Sequence, residues 1–315
     1  MNNILVTGGN GFIGINLVKH LLENTSAKIF SLDNYYSSGF NNTNLFLNNP
    51  RVLFLHRDIR LPLSNVLLNQ EIDTIFHLAC PASPPIYQFS PIYTHETNVY
   101  GMVNVLKLAV EKYAKVIFTS TSEIYGDPQV DIQNETYLGN VKTVGPRACY
   151  DEGKRISETI CYDYHKTYGL DIKIARLFNS YGPYMDRNDG RVVSNFITQA
   201  LSNTPLTVYG DGSQTRSLCH VSDTVKALFK LAQTDETTSA SPINIGNPNE
   251  LSVLEIANKI IELTESSSKI EYKELPLDDP RKRHPDISLA KRKLDWEPEI
   301  DLDTGLLETI GYFRG

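Results

Sequence analysis

Ile4-Leu5-Val6-Thr7-Gly8-Gly9-Asn10-Gly11-Phe12-Ile13-Gly14 stands almost at the start of the chain. Its first four residues are an apolar run closed by glycines, the pattern of a strand buried in a parallel sheet. From Ile15 to Glu23 apolar residues recur at helical spacing. Between strand and helix, Gly8, Gly11 and Gly14 make a G-x-x-G-x-x-G loop. Backbone N–H groups and a helix N-terminus can there approach a pyrophosphate, with Phe12 and Ile13 of the loop counted among the cofactor contacts. The same glycines also fit a plain tight turn; their place directly after a strand favours the dinucleotide site.

Outward from this loop the strand–helix alternation continues. Lys28 to Leu32 reads as a second strand ending at Asp33. An acid about twenty residues past the loop is placed to accept hydrogen bonds from an adenosine ribose, and it opposes a 2′-phosphate. NAD is therefore expected rather than NADP. Asn34 and Gly39 lie in a polar loop able to cover the adenosine. Val52 to Leu55 reads as a third strand, followed by Asp58-Ile59, where Asp58 either meets the adenine or caps a helix. Asp73 to Leu78 reads as a fourth strand. Leu78, Ala79 and Cys80 at its end leave room for a cofactor against the backbone, while His77 fits a structural role better than a catalytic one. Pro81 to Tyr87 reads as a loop because of its prolines. Thr97 to Tyr113 reads as one helix, with Val99, Val103, Leu106 and Val110 on a face, and Lys115 to Ser120 as a fifth strand.

Two stretches then carry hydroxyls, a carboxylate and a Tyr-x-x-x-Lys pair. Thr119-Ser120-Thr121-Ser122-Glu123-Ile124-Tyr125-Gly126 closes the fifth strand, at the sheet edge that faces a ligand crevice. A hydroxyl there can bond a substrate oxygen, and Glu123 can do acid/base work or orient water. In Gly145-Pro146-Arg147-Ala148-Cys149-Tyr150-Asp151-Glu152-Gly153-Lys154-Arg155, Tyr150 and Lys154 share a helix face. An ammonium beside a phenol is expected to lower the phenol's pKa and make it a usable base.

The bulk numbers exclude several classes. At 315 residues, 41% apolar and 21% charged, the chain fits a globular protein with a sizeable core. A net charge of −7 argues against nucleic acid. Cys80, Cys149, Cys161 and Cys219 lack metal-ligand spacing and read as reduced thiols, so no metal and a cytoplasmic setting are expected. The chain enters its first strand at once, so no signal peptide is expected, and no apolar run is long enough to cross a bilayer.

Taken together, these motifs resemble the extended short-chain dehydrogenase/reductase family of nucleotide-sugar enzymes. The resemblance covers nearly the whole chain. It rests on the glycine loop, Asp33, His77 to Pro85, Thr119 to Pro128, Gly145 to Arg155, Asn188 to Phe196 and Pro205 to Gly210. The glycine loop is shared widely; the run from Gly145 to Arg155 is specific. The resemblance implies NAD-dependent decarboxylation of UDP-glucuronate to UDP-xylose through a 4-keto intermediate, without net redox change. A 4-epimerase or 4,6-dehydratase of the same fold is the alternative, and a non-catalytic NAD-binding regulatory protein a remoter one. It further implies Tyr150 as catalytic base, Lys154 as its partner and ribose contact, and Thr121 as the third member, with Ser122 and Glu123 beside the sugar. Further cofactor contacts are implied at Thr97, Ser180 and Arg191, and substrate contacts at Tyr87, Asn179, Val193, Tyr209, Gln214, Arg216 and Arg283, with Arg281 competing for the diphosphate. A homodimer through the helices near 99–113 and 150–167 is implied as well. Cys80 and His95-Glu96 depart from the family's usual residues and bear on cofactor packing.

The second half of the chain fits this outline. Ile172 to Leu177 reads as a sixth strand, after which Asn179 either holds a phosphate or forms a turn, and Gly182-Pro183 ends regular structure. Arg191, before a helix from Val193 to Leu201, can pair with a phosphate. Ser252 to Leu263 is amphipathic and reads as core. The fold class expected is α/β, a Rossmann-type doubly wound parallel sheet with a smaller interleaved C-terminal substrate domain. The NAD-binding domain is placed at 1–179 with a return segment near 217–245, and the substrate domain at 180–216 and 246–315.

Overall fold

A computed structural model describes residues 1–38, 41–63, 67, 69–235, 239–275 and 281–315; Gly39 lies outside the described residues. The chain begins with strand β1 (Asn3–Thr7), whose Ile4, Leu5 and Val6 are fully buried. Side chains alternate across a strand, so Ile4 and Val6 enter one core and Leu5 the other. That is why the run is apolar throughout. β1 pairs in parallel with β2 (Lys28–Asp33) on one side and β4 (Thr74–His77) on the other. With β3 (Val52–His56), β5 (Lys115–Thr121), β6 (Ile172–Leu177) and β11 (Pro242–Ile245) they form a seven-stranded parallel sheet in the order β11-β6-β5-β4-β1-β2-β3, while β7 (Ser180–Tyr181) and β10 (Cys219–His220) pair with each other in parallel. The order reverses between β1 and β4, which opens a crevice at their carboxyl ends.

Helices cover both faces. Leu17, Val18 and Leu21 of α1 (Phe12–Asn24) and Val225, Leu228 and Leu231 of α7 (Val221–Gln233) pack with Ile4, Val6 and Ile243. The helix α9 (Ser288–Leu294) joins this side through Ala290 and Leu294. On the other face, α4 (Met102–Lys112) and α5 (Ala148–Tyr168) pack with Leu5, Phe30 and Phe118. A third core holds α6 (Val192–Leu201), α8 (Val253–Thr264) and α10 (Leu302–Arg314) against β8 (Leu206–Tyr209). Ser252 caps α8 rather than opening it, in a capping box with Glu255.

Two segments differ from the sequence reading. Pro81 to Tyr87 is not loop throughout: Pro84 and Pro85 start the helix α2 (Pro84–Phe89). First-turn N–H groups have no intrahelical partner, so proline does no harm there. The helix expected from Thr97 begins earlier, as α3 (Pro91–Glu96), and passes through a π turn at Thr97–Gly101 into α4.

Candidate active site

The glycine loop forms one wall of the crevice. Gly8 has φ +71°, and a Cβ on it would lie 2.8 Å from the Ala79 nitrogen at the end of β4. A Cβ on Gly14 would lie 2.0 Å from the Gly8 carbonyl oxygen. Glycine is thus required for α1 to start against the loop and for the loop to lie against β4. Gly11 is the N-cap of α1 and offers no side-chain cap, which leaves first-turn N–H groups for an anion. Phe12 and Ile13, half-buried, form that first turn.

Asp33 stands at the end of β2. Its carboxylate accepts from the backbone N–H groups of Asn10 at 3.0 Å and Tyr35 at 2.8 Å and from the Ser38 hydroxyl at 3.3 Å. Burial nevertheless pushes its pKa up, against these bonds. The crevice brings together Gly8, Gly11, Asp33 and Asn34 with Ile59, and closes on Leu78, Ala79, Cys80 and Thr97. It also takes in Tyr36, Ser37, Ser38, Arg57 and Tyr93, which the sequence reading missed. The Tyr36 and Tyr93 rings stack at 4.2 Å, and the Asn34 amide donates to the Tyr93 hydroxyl at 2.5 Å. No spacing rule marks aromatic residues so far apart in sequence as neighbours. Asp58 faces an adjoining hollow, where Arg60 holds its carboxylate at 2.9 Å and keeps its pKa low against burial. His77 is buried, hydrogen-bonded to the Thr7 hydroxyl at 2.7 Å, and driven down to about 3 by burial. It is therefore a neutral, structural histidine.

Beyond the crevice, β5 delivers Thr121 and the 3₁₀ turn Ser122–Tyr125. Ser122 is buried at the head of this turn. Tyr125 anchors its far end by donating to the Asn244 side chain at 2.8 Å. Tyr150 comes from the first turns of α5 and stacks on Tyr87 of α2, with ring centres 5.1 Å apart and 7° between planes. Thr121 lies near enough to the Tyr150 phenol for its hydroxyl to draw the phenol's pKa down. The Lys154 ammonium donates to the Thr119 carbonyl at 2.9 Å and lies 5.9 Å from the Tyr150 ring centre.

The expected lowering of the phenol pKa is corrected here. Burial raises it far above the ordinary value, with Cys80 adding to the rise; the Thr121 hydroxyl and the charge of Arg191 oppose them. Lys154 is itself lowered by burial. The phenolate's desolvation outweighs every nearby positive charge, and the lysine points to a backbone carbonyl.

Glu123 sits in a buried charge cluster. It accepts from Arg147 at 2.6 Å and Arg283 at 2.8 Å, and these guanidiniums hold it well below the usual carboxylate range despite its burial. Arg283 is 1% exposed and also donates to the Gly126 carbonyl at 2.6 Å. Arg147 and Asp151 join the same cluster, 4.0 Å apart. Their i,i+4 spacing repeats that of Tyr150 and Lys154 and was the signal available in the sequence.

Other sequence candidates are more dispersed. Arg191 pairs with Asp189 and lies 6.0 Å from the Phe12 ring, at the start of α1. The Ser180 hydroxyl is paired with Thr224 at 2.9 Å. The Asn179 carbonyl accepts from Cys219 N–H at 2.9 Å, and Val193 is buried in the third core. Tyr209, Gln214 and Arg216 gather around β8 and β9 (Thr215–Ser217), where Gln214 donates to the Tyr209 carbonyl at 2.7 Å. The Arg281 carbonyl accepts from Thr215 N–H at 3.1 Å, which lays the 281–285 segment along this edge.

With this geometry in view, comparisons with known proteins are specific. The family model described as GDP-mannose 4,6 dehydratase matches residues 5–309. The chain is 49% identical over 303 residues to UDP-glucuronic acid decarboxylase 6 of Arabidopsis thaliana, covering 96% of this chain and 86% of that one. Among solved structures, the UDP-glucose 4-epimerase of Thermotoga maritima with UDP-glucose superposes with a TM-score of 0.91 at 30% identity, covering 99% and 98% of the two chains. The UDP-glucuronic acid 4-epimerase of Bacillus cereus, in complex with UDP-glucuronic acid and NAD, gives 0.90 at 28% identity over 99% of each.

Proposed function

This chain belongs to the GDP-mannose 4,6-dehydratase family, and we propose that it is an enzyme that decarboxylates UDP-glucuronate to UDP-xylose with NAD as cofactor. The observation that carries this reading is the meeting of three features at one sheet edge. Thr121 and Tyr150 stand together there, the glycine crevice opens beside them, and the buried guanidiniums of Arg147 and Arg283 offer positive charge for a sugar carboxylate.

The residues Gly8, Gly11, Gly14 and Asp33 hold the cofactor, and Asp58, Ile59 and Thr97 line its adenosine side. The close approach of α1 to the loop, which any Cβ at Gly14 would prevent, supports that fit. Held by these residues, NAD would supply the reversible hydride chemistry needed at C4 of the sugar. Tyr150 takes the O4 proton and gives it back; Thr121 and Tyr150 donate hydrogen bonds to the charge that develops on O4. A ketone at C4 is β to the C6 carboxylate, so the C5–C6 electron pair can pass into an enolate as CO₂ leaves. Glu123, held ionised by its guanidiniums, orients rather than donates. Tyr209, Gln214, Arg216 and Arg281 take the uridine diphosphate end, whereas Arg283, expected at the diphosphate, is turned onto Glu123. In this reading 1–179 with 217–245 is the nucleotide unit, and 180–216 with 246–315 supplies the substrate unit. The pairing of β11 with β6 supports the return segment.

Mass spectrometry of the products from UDP-glucuronate tests the function. UDP-xylose and CO₂ are expected. A 4-epimerase, the activity of the superposed solved structures, would leave the mass unchanged, and a 4,6-dehydratase would remove water.

Two further outcomes are expected. NAD should bind far more tightly than NADP, and Asp33→Ser should narrow that preference by at least about tenfold, since one carboxylate both accepts ribose hydroxyls and repels a phosphate. Comparable NAD and NADP titrations of the wild-type protein would remove the assignment. The enzyme should also be a homodimer: Ile92, Tyr100 and Ile156 are 69%, 58% and 41% exposed along the paired helices, and a two-fold axis would bury the same surface on each copy. Light scattering at micromolar concentration should give twice the chain mass. The cytoplasm is the proposed compartment, in keeping with four free thiols; among the described residues no helix is long and apolar enough to cross a membrane.

A further inference from the structure

One buried acid beside Tyr150 has no part in the chemistry above. Asp151 is 7% exposed, and among the described residues its Oδ1 has no hydrogen-bond partner. The groups that face it come from every element around it: Glu123 from the 3₁₀ turn, Arg147, Cys149 and Glu152 from its own chain stretch, Arg283 from the C-terminal segment and Tyr87 from α2. Among the described residues, both arginines give short ion pairs to Glu123, at 2.6 and 2.8 Å, whereas the ion pair of Asp151 is a 4.0 Å contact with Arg147. Tyr87 carries a second such atom: among the described residues its buried hydroxyl has no partner, and its ring lies 5.9 Å from the Arg147 guanidinium. Two unpartnered polar atoms thus flank one buried guanidinium, and such groups call for a ligand or a proton.

Charge counting points to the proton. With Glu123 and Asp151 both ionised, the two acids and two guanidiniums are neutral together. A sugar carboxylate entering this dry cluster would leave it with one uncompensated negative charge, which is expensive to bury. A proton on Asp151 restores neutrality, because Asp151 is the acid with the weaker ion pair. We propose that Asp151 carries a proton whenever a carboxylate sugar is bound, and that this proton is the one decarboxylation consumes. The inference rests on the UDP-glucuronate reading. Burial and the charge of Glu123 are consistent with it, since they push Asp151 up to about 8 against the pull of Arg147.

The step balances. Converting R–COO⁻ to R–H and CO₂ takes up one proton per turnover. The C5–C6 bond breaks and its electron pair enters the C4–C5 enolate. The proton leaving Asp151 then becomes the new C5 hydrogen, and the Asp151 carboxylate is reprotonated from water. Tyr150 cannot supply it, because its own proton returns to O4.

The test is net proton uptake on binding, measured by calorimetry at pH 9 in two buffers of different ionisation enthalpy. Tyr150→Phe protein with its cofactor is used so that nothing turns over. UDP-glucuronate should take up about one proton more than UDP-glucose, which lacks the carboxylate. Adding Asp151→Asn should abolish the excess. Equal uptake for the two nucleotides in Tyr150→Phe, or an excess that survives Asp151→Asn, would overturn the proposal. Should the double variant not bind UDP-glucose, Asp151→Glu replaces it, and the pH at which the excess sets in must move; an unmoved midpoint overturns the proposal equally. Product analysis of the wild-type enzyme separates the two ideas: no UDP-xylose refutes the function, whereas UDP-xylose without excess uptake refutes only the role of Asp151.

Discussion

Tyr150→Phe should lose both cofactor reduction and CO₂ release from UDP-glucuronate, each by at least about a hundredfold, as loss of a general base requires. The substitution keeps the ring, and with it the parallel stack on Tyr87 at 5.1 Å, so binding and folding should be little changed. It removes the one group proposed to take the O4 proton. Hydride cannot leave C4 easily while that proton stays, and without the ketone no enolate can hold the electrons that decarboxylation leaves behind. The two signals must therefore fall together. The buried phenol makes the requirement sharper, since its pKa is raised rather than lowered: the proton must move as the hydride moves, not onto a standing phenolate. Absorbance of the reduced cofactor and labelled CO₂, followed on one sample, check this. If Tyr150→Phe released CO₂ at the wild-type rate, oxidation would not precede decarboxylation.

The contrast between Tyr150 and its neighbours shows what a sequence carries and what it leaves out. β1 was legible because both its faces are buried, so every residue from Ile4 to Val6 is apolar; β6 was legible with its boundaries from Ile172, Ile174, Ala175 and Leu177, although Lys173 and Arg176 are buried in it too, paired with Asp171 and Glu158. Gly8, Gly11 and Gly14 were legible because the loop's close contacts admit no side chain at Gly8 or Gly14, a demand written in residue identity. Pro84-Pro85 misled because proline marks both loops and helix starts, and only packing against Tyr150 decides between them. The raised phenol was hidden because desolvation is a property of the whole surrounding core, whereas Tyr-x-x-x-Lys spacing reports one neighbour. The ion cluster was hidden for a third reason. Glu123, Arg147 and Arg283 lie far apart in the chain and converge only after the C-terminal segment folds back across the sheet edge.

That cluster gives the second large effect. Glu123→Gln leaves two buried guanidiniums without the carboxylate that accepts both, and breaking a buried pair from one side typically costs about 3–5 kcal/mol. Asp151 can ionise and move onto Arg147, so the loss should fall at the lower end, about 3 kcal/mol by denaturant unfolding. The pH dependence separates the two acids. Glu123 has its folded pKa depressed, so its stabilisation is present above the unfolded value of about 4.3 and is lost as pH falls through the folded one. The gap between wild type and variant should therefore close in acid. Asp151 has its folded pKa raised, so in the wild type its contribution is present below about 3.9 and is lost as pH rises through the folded value. In Glu123→Gln the chief charge raising Asp151, after burial, is gone, and that loss should shrink. The gap should then also narrow between about pH 5 and 8, so that it is widest in mild acid. A gap that stayed flat across this range would show that the two carboxylates do not compete for Arg147. On mixing with UDP-glucuronate the variant should still reduce its cofactor, since Tyr150 and Thr121 are untouched. UDP-xylose should form slowly, because the enolate then faces an ionised Asp151 with no proton to give.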